Sequence, residues 1–266
     1  MVKDLRRTLT FSCEDSNLIG TLDDGTATAG LLIVSGGNEV RSGAHRGMAE
    51  LAATLANDGW PVFRFDRRGV GDSEGHNAGF ESSAPDIAAA LTAFRSACPQ
   101  LTRIVAFGNC DAATALVLHA PAIDSRVLAN PWIIEPTDDL PPPAAIRDRY
   151  AKRLRDPKAW VALVSGKLDI AALARGVRKL LASSPARPES LAARVMTELA
   201  RAPIPTKILL ATGDATAIAF DAEWRKAPIA AIAAIAVARL ASPSHSFADD
   251  RDFAALVALL TSSLRG

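Results

Sequence analysis

Short runs of apolar residues alternate with longer segments of helical periodicity along most of this chain. The run Gly30 to Gly37 (GLLIVSGG) is typical of a buried strand that ends in a glycine turn, and residues 45–59 follow it with helical spacing and a glycine stop. Strands separated by helices favour right-handed crossovers, which produce a mainly parallel, twisted sheet with helices on both faces. Residues 8–24 instead predict an antiparallel hairpin at the sheet edge. The same patterns predict further strands at 60–69, 103–109, 125–133, 206–214 and 235–242, and further helices at 82–98 and 253–264.

The overall composition excludes several classes of protein. With 266 residues, 49% of them hydrophobic, the chain can build one large core, and its net charge of +1 gives no general attraction to nucleic acid or acidic membranes. The first residues lack the apolar region of a secretory signal, and the most apolar run, 228–238, is too short to cross a bilayer. Three cysteines without CxxC spacing fit a reducing compartment. We therefore expect a cytoplasmic protein without nucleic-acid or membrane partners.

Residues 132–205 interrupt the alternation with proline-punctuated helical stretches. An all-helical insertion between two strands predicts a cap over one end of the sheet, so the core would comprise 1–131 and 206–266. Residues 141–201 contain 13 Lys or Arg and 5 Asp or Glu, a net charge of +8, which leaves −7 for the remainder. This excess either forms a solvated face or attracts an anionic substrate.

A cysteine stands where the strand at 103–109 gives way to a helix. Strand, tight turn and helix with a nucleophile at the apex is the geometry of a nucleophile elbow, and the flanking Gly108 and Ala112 are small enough for strand and helix to cross closely. The helix N-terminus favours a thiolate at Cys110, and the N–H of Asp111 could donate to an oxyanion. The alternative is that Cys110 is a small buried hydrophobic residue.

An elbow enzyme also requires an acid and then a histidine, each following a later strand. Asp214 ends the strand pattern KILLATGD, and His245 lies in the loop after the last predicted strand. The order Cys110, Asp214, His245 is the required one, with Asp221 as a weaker candidate for the acid. The histidines share no ligand spacing with one another or with the cysteines, so we predict no metal site and no cofactor.

Two loops carry a family resemblance. FDRRGVGDSEG (65–75) resembles the D-x-R-G-x-G-x-S loop of the α/β-hydrolase superfamily, which implies that Asp66 and Arg68 stabilise the turn near the active site. SGGNEVRSGAHR (35–46) resembles its oxyanion loop, which implies a second backbone donor at Asn38. Together with GNCDAA and ANPW, these segments resemble the exosortase A system-associated hydrolases, which are encoded beside exopolysaccharide and protein-sorting genes in Gram-negative bacteria. The resemblance implies an α/β-hydrolase fold and a cysteine nucleophile.

Other polar residues could shape the pocket, and each has two interpretations. Asp111 is either an ordinary acidic residue of a first helical turn or a partner of Arg41 or Arg46. His45 either faces the pocket or caps the next helix, and Trp132 either lines an acyl site or packs at the cap hinge. The candidates for lining or supporting the pocket are Gly37, Arg41, His45 and Trp132.

These residues predict acyl transfer through Cys110, with His245 as base and Asp214 orienting the imidazole. Because a thiolate is also a good leaving group, we expect a small ester, lactone or thioester substrate, either neutral or anionic, rather than a peptide. An acyltransferase and a non-catalytic scaffold on a degenerate hydrolase fold are the alternatives. A capped proline-specific peptidase is disfavoured by the thiol and by the shortage of acidic residues in the predicted cap that could hold a substrate N-terminus.

Overall fold

The computed structural model describes residues 6–119, 122–135, 190–201, 204–227 and 235–266. Within them lie eight strands: β1 (Arg6–Cys13), β2 (Ser16–Asp23), β3 (Ala29–Val34), β4 (Val62–Phe65), β5 (Arg103–Asn109), β6 (Ser125–Ala129), β7 (Thr206–Ala211) and β8 (Ala236–Leu240). They form one sheet in the order β1-β2-β4-β3-β5-β6-β7-β8. β2 pairs antiparallel with β1 and with β4, whereas β3 to β8 pair in parallel. The predicted edge hairpin and mainly parallel sheet are confirmed.

The described helices cover both faces of this sheet. They are α1 (Gly47–Asn57), α2 (Ala84–Ala97), α3 (Asp111–Leu118), α4 (Leu191–Arg201), α5 (Ala215–Trp224) and α6 (Asp250–Arg265), with short 3-10 helices at Ala44–Arg46 and Phe80–Ser82. Alternate residues of β5 serve opposite faces, as the period of a strand requires. Ile104 and Ala106 pack with α2 to α5, and Val105 and Phe107 pack with α1 and α6. The predicted α/β-hydrolase fold, with helices on both faces of its sheet, is therefore confirmed.

Among the element boundaries that differ from those expected, two differences arise from backbone conformation. α1 begins at Gly47 because His45 and Arg46 have φ values of 51° and 64°, which do not fit a right-handed helix. β6 ends at Ala129 because Asn130 has a φ of 41° and Pro131 follows it. The end of β6 lies beside the elbow after β5, since the Cys110 N–H donates to the Ala129 carbonyl.

The predicted cap at 132–205 falls mainly on residues 136–189, which lie outside the described residues, and it stays a prediction. Within that range, α4 packs on the core beside α3 and buries Leu191, Val195 and Leu199. None of the helices in the described ranges combines the length and the apolar character needed to cross a membrane.

Candidate active site

Cys110 forms a sharp corner between β5 and α3. Its φ of 60° and ψ of −127° belong to a region that residues with a β-carbon seldom adopt. Two hydrogen bonds hold the corner: the Cys110 N–H donates to the Ala129 carbonyl at 3.0 Å, and the Cys110 carbonyl accepts from the Trp132 N–H at 3.2 Å. The neighbouring strand end thus stabilises the strained conformation.

The close crossing expected at the corner is present. A β-carbon added to Gly108 would lie 2.7 Å from the carbonyl carbon of Ala112 and 2.8 Å from its oxygen. Since these are backbone atoms, no side-chain movement could relieve the clash. Ala112 is itself completely buried. The elbow geometry therefore depends on both small residues.

Asp214 and His245 meet across two loops. Asp214 caps the N-terminus of α5, where one of its oxygens accepts the Ala217 N–H at 2.9 Å, and the other lies 3.0 Å from Nδ1 of His245. Burial raises the pKa of Asp214, but the hydrogen bonds with His245 and Ala217 outweigh it and bring that pKa below its ordinary value. Asp221, the weaker candidate, is instead hydrogen-bonded to two arginines.

His245 carries a strongly raised pKa. The hydrogen bond with Asp214, and then the interaction with the Cys110 side chain, raise the pKa of His245 to about 10 against the opposing effect of burial. The imidazole is therefore cationic at neutral pH. Its charge lies between an acid on one side and the cysteine on the other.

Two asparagines that the sequence reasoning missed hold the His245 backbone. The His245 carbonyl accepts hydrogen bonds from the side chains of Asn109 at 3.0 Å and Asn130 at 3.2 Å. Asn130 is fully buried, and its side-chain oxygen accepts the Ala211 N–H at 2.9 Å. Their positions in the sequence could have identified them: Asn109 ends β5 and Asn130 directly follows β6, and both strands lie next to the elbow.

A cavity of about 410 Å³ opens beside the sulfur. It brings together the elbow, the predicted oxyanion loop and the histidine loop, and it includes Cys110, His245, Asn38, Gly37 and Trp132. The complete lining is Gly36, Gly37, Asn38, Glu39, Ala44, Met48, Phe80, Asn109, Cys110, Asp111, Trp132, His245 and Ser246. No group of three or more His, Cys, Asp or Glu in the described ranges is placed to hold a metal ion.

Arg41 and His45 are absent from this lining. The backbone N–H of Arg41 donates to Asp66 at 2.6 Å, and its guanidinium pairs with Asp66 and, at 2.8 Å, with Asp72. Asp66 is completely buried and needs a cationic partner, which explains why Arg41 turns toward it. His45 is exposed and makes no capping hydrogen bond to α1.

The pairing of Asp111 with Arg41 or Arg46, one of its two interpretations, is not present. Asp111 lies 3.9 Å from Arg67 instead, and its carboxylate accepts the Gly37 N–H at 2.7 and 2.9 Å. Arg67 comes from the loop after β4, beside the oxyanion loop, whereas Arg46 is exposed at the start of α1. The acidic residue of the elbow is thus bound to the oxyanion loop through a backbone N–H.

The loop at 65–75 has the stabilising contacts that the family resemblance implied. The Asp66 carboxylate accepts the Asp72 N–H at 3.1 Å, and a β-carbon on Gly71 would lie 2.3 Å from it. Arg68 pairs with Asp86 at 2.5 Å and also with Glu14. Both residues therefore fix the shape of the turn.

Comparison with known structures supports the same architecture. An esterase of Pyrococcus furiosus, Pf2001, is 15% identical, with a TM-score of 0.66 and coverage of 100% of this chain and 93% of that one. DcsB, solved in complex with its substrate analogue, is 14% identical at a TM-score of 0.63, covering 98% and 99%. An α/β hydrolase from Sphaerobacter thermophilus is 19% identical at a TM-score of 0.57, covering 96% and 100%. At these identities the likeness concerns the fold.

Sequence comparison identifies the family. No curated protein matches the chain significantly. The family model Hydrolase_4, described as serine aminopeptidase, S33, matches residues 25–207, which is more than two thirds of the chain. Its match spans the oxyanion loop, the turn at 65–75 and the elbow. The chain therefore belongs to this family and is a hydrolase with the α/β-hydrolase fold.

Proposed function

We propose that this chain is a cysteine-dependent hydrolase that cleaves small esters or thioesters through an acyl-cysteine intermediate. The observation that carries the proposal is that the strained corner at Cys110 shares a cavity with His245. Nδ1 of that histidine lies 3.0 Å from Asp214. A nucleophile, an imidazole and an orienting acid are the parts that acyl transfer requires. The similarity to an esterase of P. furiosus supports the same class of substrate.

The raised pKa of His245 determines the starting state of the proposed reaction. With its pKa at about 10, His245 already holds a proton at pH 7. The proposed starting state pairs this imidazolium with a Cys110 thiolate. The sulfur attacks the carbonyl carbon, and the backbone N–H groups of Asp111 and Asn38 stabilise the oxyanion. As the bond to the leaving group breaks, His245 gives that group its proton, and an acyl-cysteine remains.

Water completes the proposed cycle. The imidazole of His245, now neutral, accepts a proton from a water molecule that attacks the acyl-cysteine. The carbon–sulfur bond breaks, the acid product leaves, and the thiolate and imidazolium are restored. Another acceptor in place of water would make the protein an acyltransferase, which is the alternative reaction at the same site.

The thiol favours activated acyl groups over amides. A thiolate is a better leaving group than an amine, so a tetrahedral intermediate formed on an amide collapses back toward the substrate. On a thioester the two leaving groups are comparable, and on an ester the imidazolium assists departure. Although the family description names a serine aminopeptidase, Cys110 at the apex therefore supports esters and thioesters as substrates.

The proposal also includes a link to exosortase and exopolysaccharide systems and a cytoplasmic location. The location is in keeping with three free cysteines.

Selective alkylation of Cys110 tests the proposal. Burial raises the pKa of Cys13 and of Cys98 to about 11, whereas Cys110 borders the cavity. Brief treatment with iodoacetamide at pH 7 should therefore add one adduct, mapped to Cys110 by peptide mass spectrometry. The Cys110→Ala variant should stay unmodified, and denatured protein should take up three adducts. Equal, slow labelling of all three cysteines would favour the non-catalytic scaffold.

The position and charge of Glu39 indicate which acyl groups the cavity accepts. It lines the cavity, and its carboxylate accepts the Ala44 N–H at 2.6 Å. Burial, with a smaller contribution from Asp111, raises the pKa of Glu39 above its ordinary value. Apart from His245, the charged groups of the described lining are the acids Glu39 and Asp111. Any anionic group attracted by the basic residues of 141–201 would have to lie away from Glu39.

The charge of Glu39 should disfavour acyl chains that carry a carboxylate near the carbonyl. At pH 8, the ratio of kcat/KM for a butyryl over a succinyl thioester should fall about fivefold in Glu39→Gln, since charge repulsion of about 1 kcal/mol is removed. Glu50→Gln, an exposed glutamate on α1, is the matched control and should leave the ratio unchanged. An equal change in both variants would show that the effect comes from overall charge.

A further inference from the structure

Both polar groups of the Gly37 backbone are occupied by charged side chains. Its N–H donates to the Asp111 carboxylate at 2.7 and 2.9 Å, and its carbonyl accepts from the Arg67 guanidinium at 2.5 Å. Arg67 is only 2% exposed and lies 3.9 Å from Asp111. These three residues form a closed set of contacts between the oxyanion loop, the loop after β4 and the elbow.

This arrangement fixes the direction of the next N–H. The Gly37 carbonyl and the Asn38 N–H belong to one trans peptide, so they point to opposite sides of it. Arg67 therefore turns the Asn38 N–H away from itself, and Asn38 lines the cavity with Cys110. The Asn38 side chain is held aside, because its oxygen accepts from the Asn77 amide at 2.7 Å.

The same contacts remove Gly37 from the possible donors. Its N–H is satisfied by a carboxylate, which is a stronger acceptor than a substrate carbonyl. The approach of that carboxylate requires a glycine at position 36, because a β-carbon there would lie 2.4 Å from Oδ1 of Asp111. At Gly37, the φ of 52° favours glycine for backbone reasons. Asn38, rather than Gly37, is thus the loop residue whose N–H can serve the proposed reaction.

Arg67 also moderates the charge of Asp111. A carboxylate one residue after the nucleophile would repel a thiolate and a developing oxyanion. The buried guanidinium 3.9 Å away, with the Gly37 N–H, offsets that charge. Asp111 can therefore hold the oxyanion loop without opposing the chemistry next to it.

We propose that Arg67 and Asp111 are positioning residues, which hold the Gly37–Asn38 peptide so that the Asn38 N–H completes the oxyanion hole. The inference rests on the proposed function and assigns roles to two residues of that same site. Arg67 does not line the cavity, and the Asp111 carboxylate, although it borders the cavity, is engaged by the Gly37 N–H. Their effect passes through the orientation of one peptide group.

The test separates acyl transfer from simple reactivity of the thiol. In Arg67→Met and in Asp111→Ala, kcat for a butyryl thioester should fall about 10- to 100-fold with little change in KM, because one oxyanion donor is misdirected. Alkylation of Cys110 by iodoacetamide, measured on the high-pH plateau where a change in the charge state of the thiol no longer affects the rate, should stay within about twofold of the parent rate, since displacement at a saturated carbon develops no oxyanion. Arg67→Lys, which keeps a donor for the Gly37 carbonyl, should recover part of the lost kcat.

Arg68→Met is the matched control, because Arg68 lies in the same loop and binds Asp86 and Glu14 but not Gly37. It should lower the unfolding temperature without lowering kcat more than about twofold. Parallel losses of kcat and alkylation rate in Arg67→Met would overturn the proposal in favour of general support of the fold. Turnover in the parent with unchanged kcat in both variants would overturn this inference alone, whereas no turnover in the parent would overturn the proposed function as well.

Discussion

Cys110→Ala is expected to lower kcat/KM for a butyryl thioester by about 10⁵-fold, because the proposed reaction passes through a covalent bond to the sulfur. Removing a nucleophile leaves only binding and the oxyanion hole, whose residual effect is small by comparison. Turnover is measured by trapping the released thiol. Accumulation of an acyl adduct, seen by intact mass in the parent after rapid quenching, should disappear in the variant.

The strained backbone at Cys110 provides a second measurement on the same residue. Glycine has no β-carbon to clash at a φ of 60° and a ψ of −127°. Cys110→Gly should therefore be as inactive as Cys110→Ala and yet unfold with a free energy about 1 kcal/mol higher than that variant. Chemical denaturation of the two variants gives this comparison. Retained turnover in either one would contradict the cysteine mechanism, and lower stability of the glycine variant would contradict strain at the elbow.

Much of the fold could be predicted from the sequence, because buried strands and amphipathic helices have strong periodic signals. The order Cys110, Asp214, His245 could be predicted for a related reason. The carboxyl ends of parallel strands lie at one edge of a sheet, so residues just after such strands come together there. The structure places Cys110 and His245 on one cavity, although 135 positions separate them, and Asp214 lies 3.0 Å from His245.

The supporting contacts could not be predicted in this way. Three arginines, Arg41, Arg46 and Arg67, lie in or near the oxyanion loop, and no periodicity distinguishes the one that reaches Asp111. The choice follows from the buried Asp66, which engages Arg41, and from the left-handed backbone at Arg46. Polar contacts between distant loops depend on backbone direction at single residues, which composition and spacing do not encode.

The asparagines that hold His245 illustrate the same limit. Asn109 and Asn130 each stand at a strand end, where a polar residue most often serves a turn. In the structure both side chains donate to the His245 carbonyl, at 3.0 and 3.2 Å. Only the adjacency of β5 and β6 brings them to one point, and a sequence does not by itself specify that adjacency.

Asp214→Asn is the other change expected to have a large effect. It should lower kcat/KM by about 10³- to 10⁴-fold, because the amide no longer fixes the imidazole tautomer or stabilises its cation. In the parent, activity on an ester should decline as the pH rises through about 10, where His245 loses its proton. In the variant this decline should move down toward the ordinary histidine pKa of about 6.5. The shift is measured from kcat/KM across roughly pH 5 to 11, a range that contains both pKa values.

Stability should follow the same pair with a defined sign. The pKa of His245 is raised on folding, so its contribution is complete below the unfolded value of about 6.5 and is lost as the pH rises through about 10. The pKa of Asp214 is lowered, so its contribution is present above about 3.9 and is lost as the pH falls through its folded value. The parent should therefore exceed Asp214→Asn in unfolding free energy near neutral pH, and the difference should shrink at both extremes.

Asp221→Asn is the matched control, since Asp221 is the other acid after β7 and pairs with Arg225 and Arg239. It should leave kcat/KM within about twofold and the alkaline decline near pH 10, because its carboxylate binds arginines and not the imidazole. If Asp221→Asn displaced the alkaline decline and Asp214→Asn did not, Asp221 rather than Asp214 would stabilise the His245 cation. The 3.0 Å contact between Asp214 and His245 would then not be the one that orients the imidazole toward Cys110.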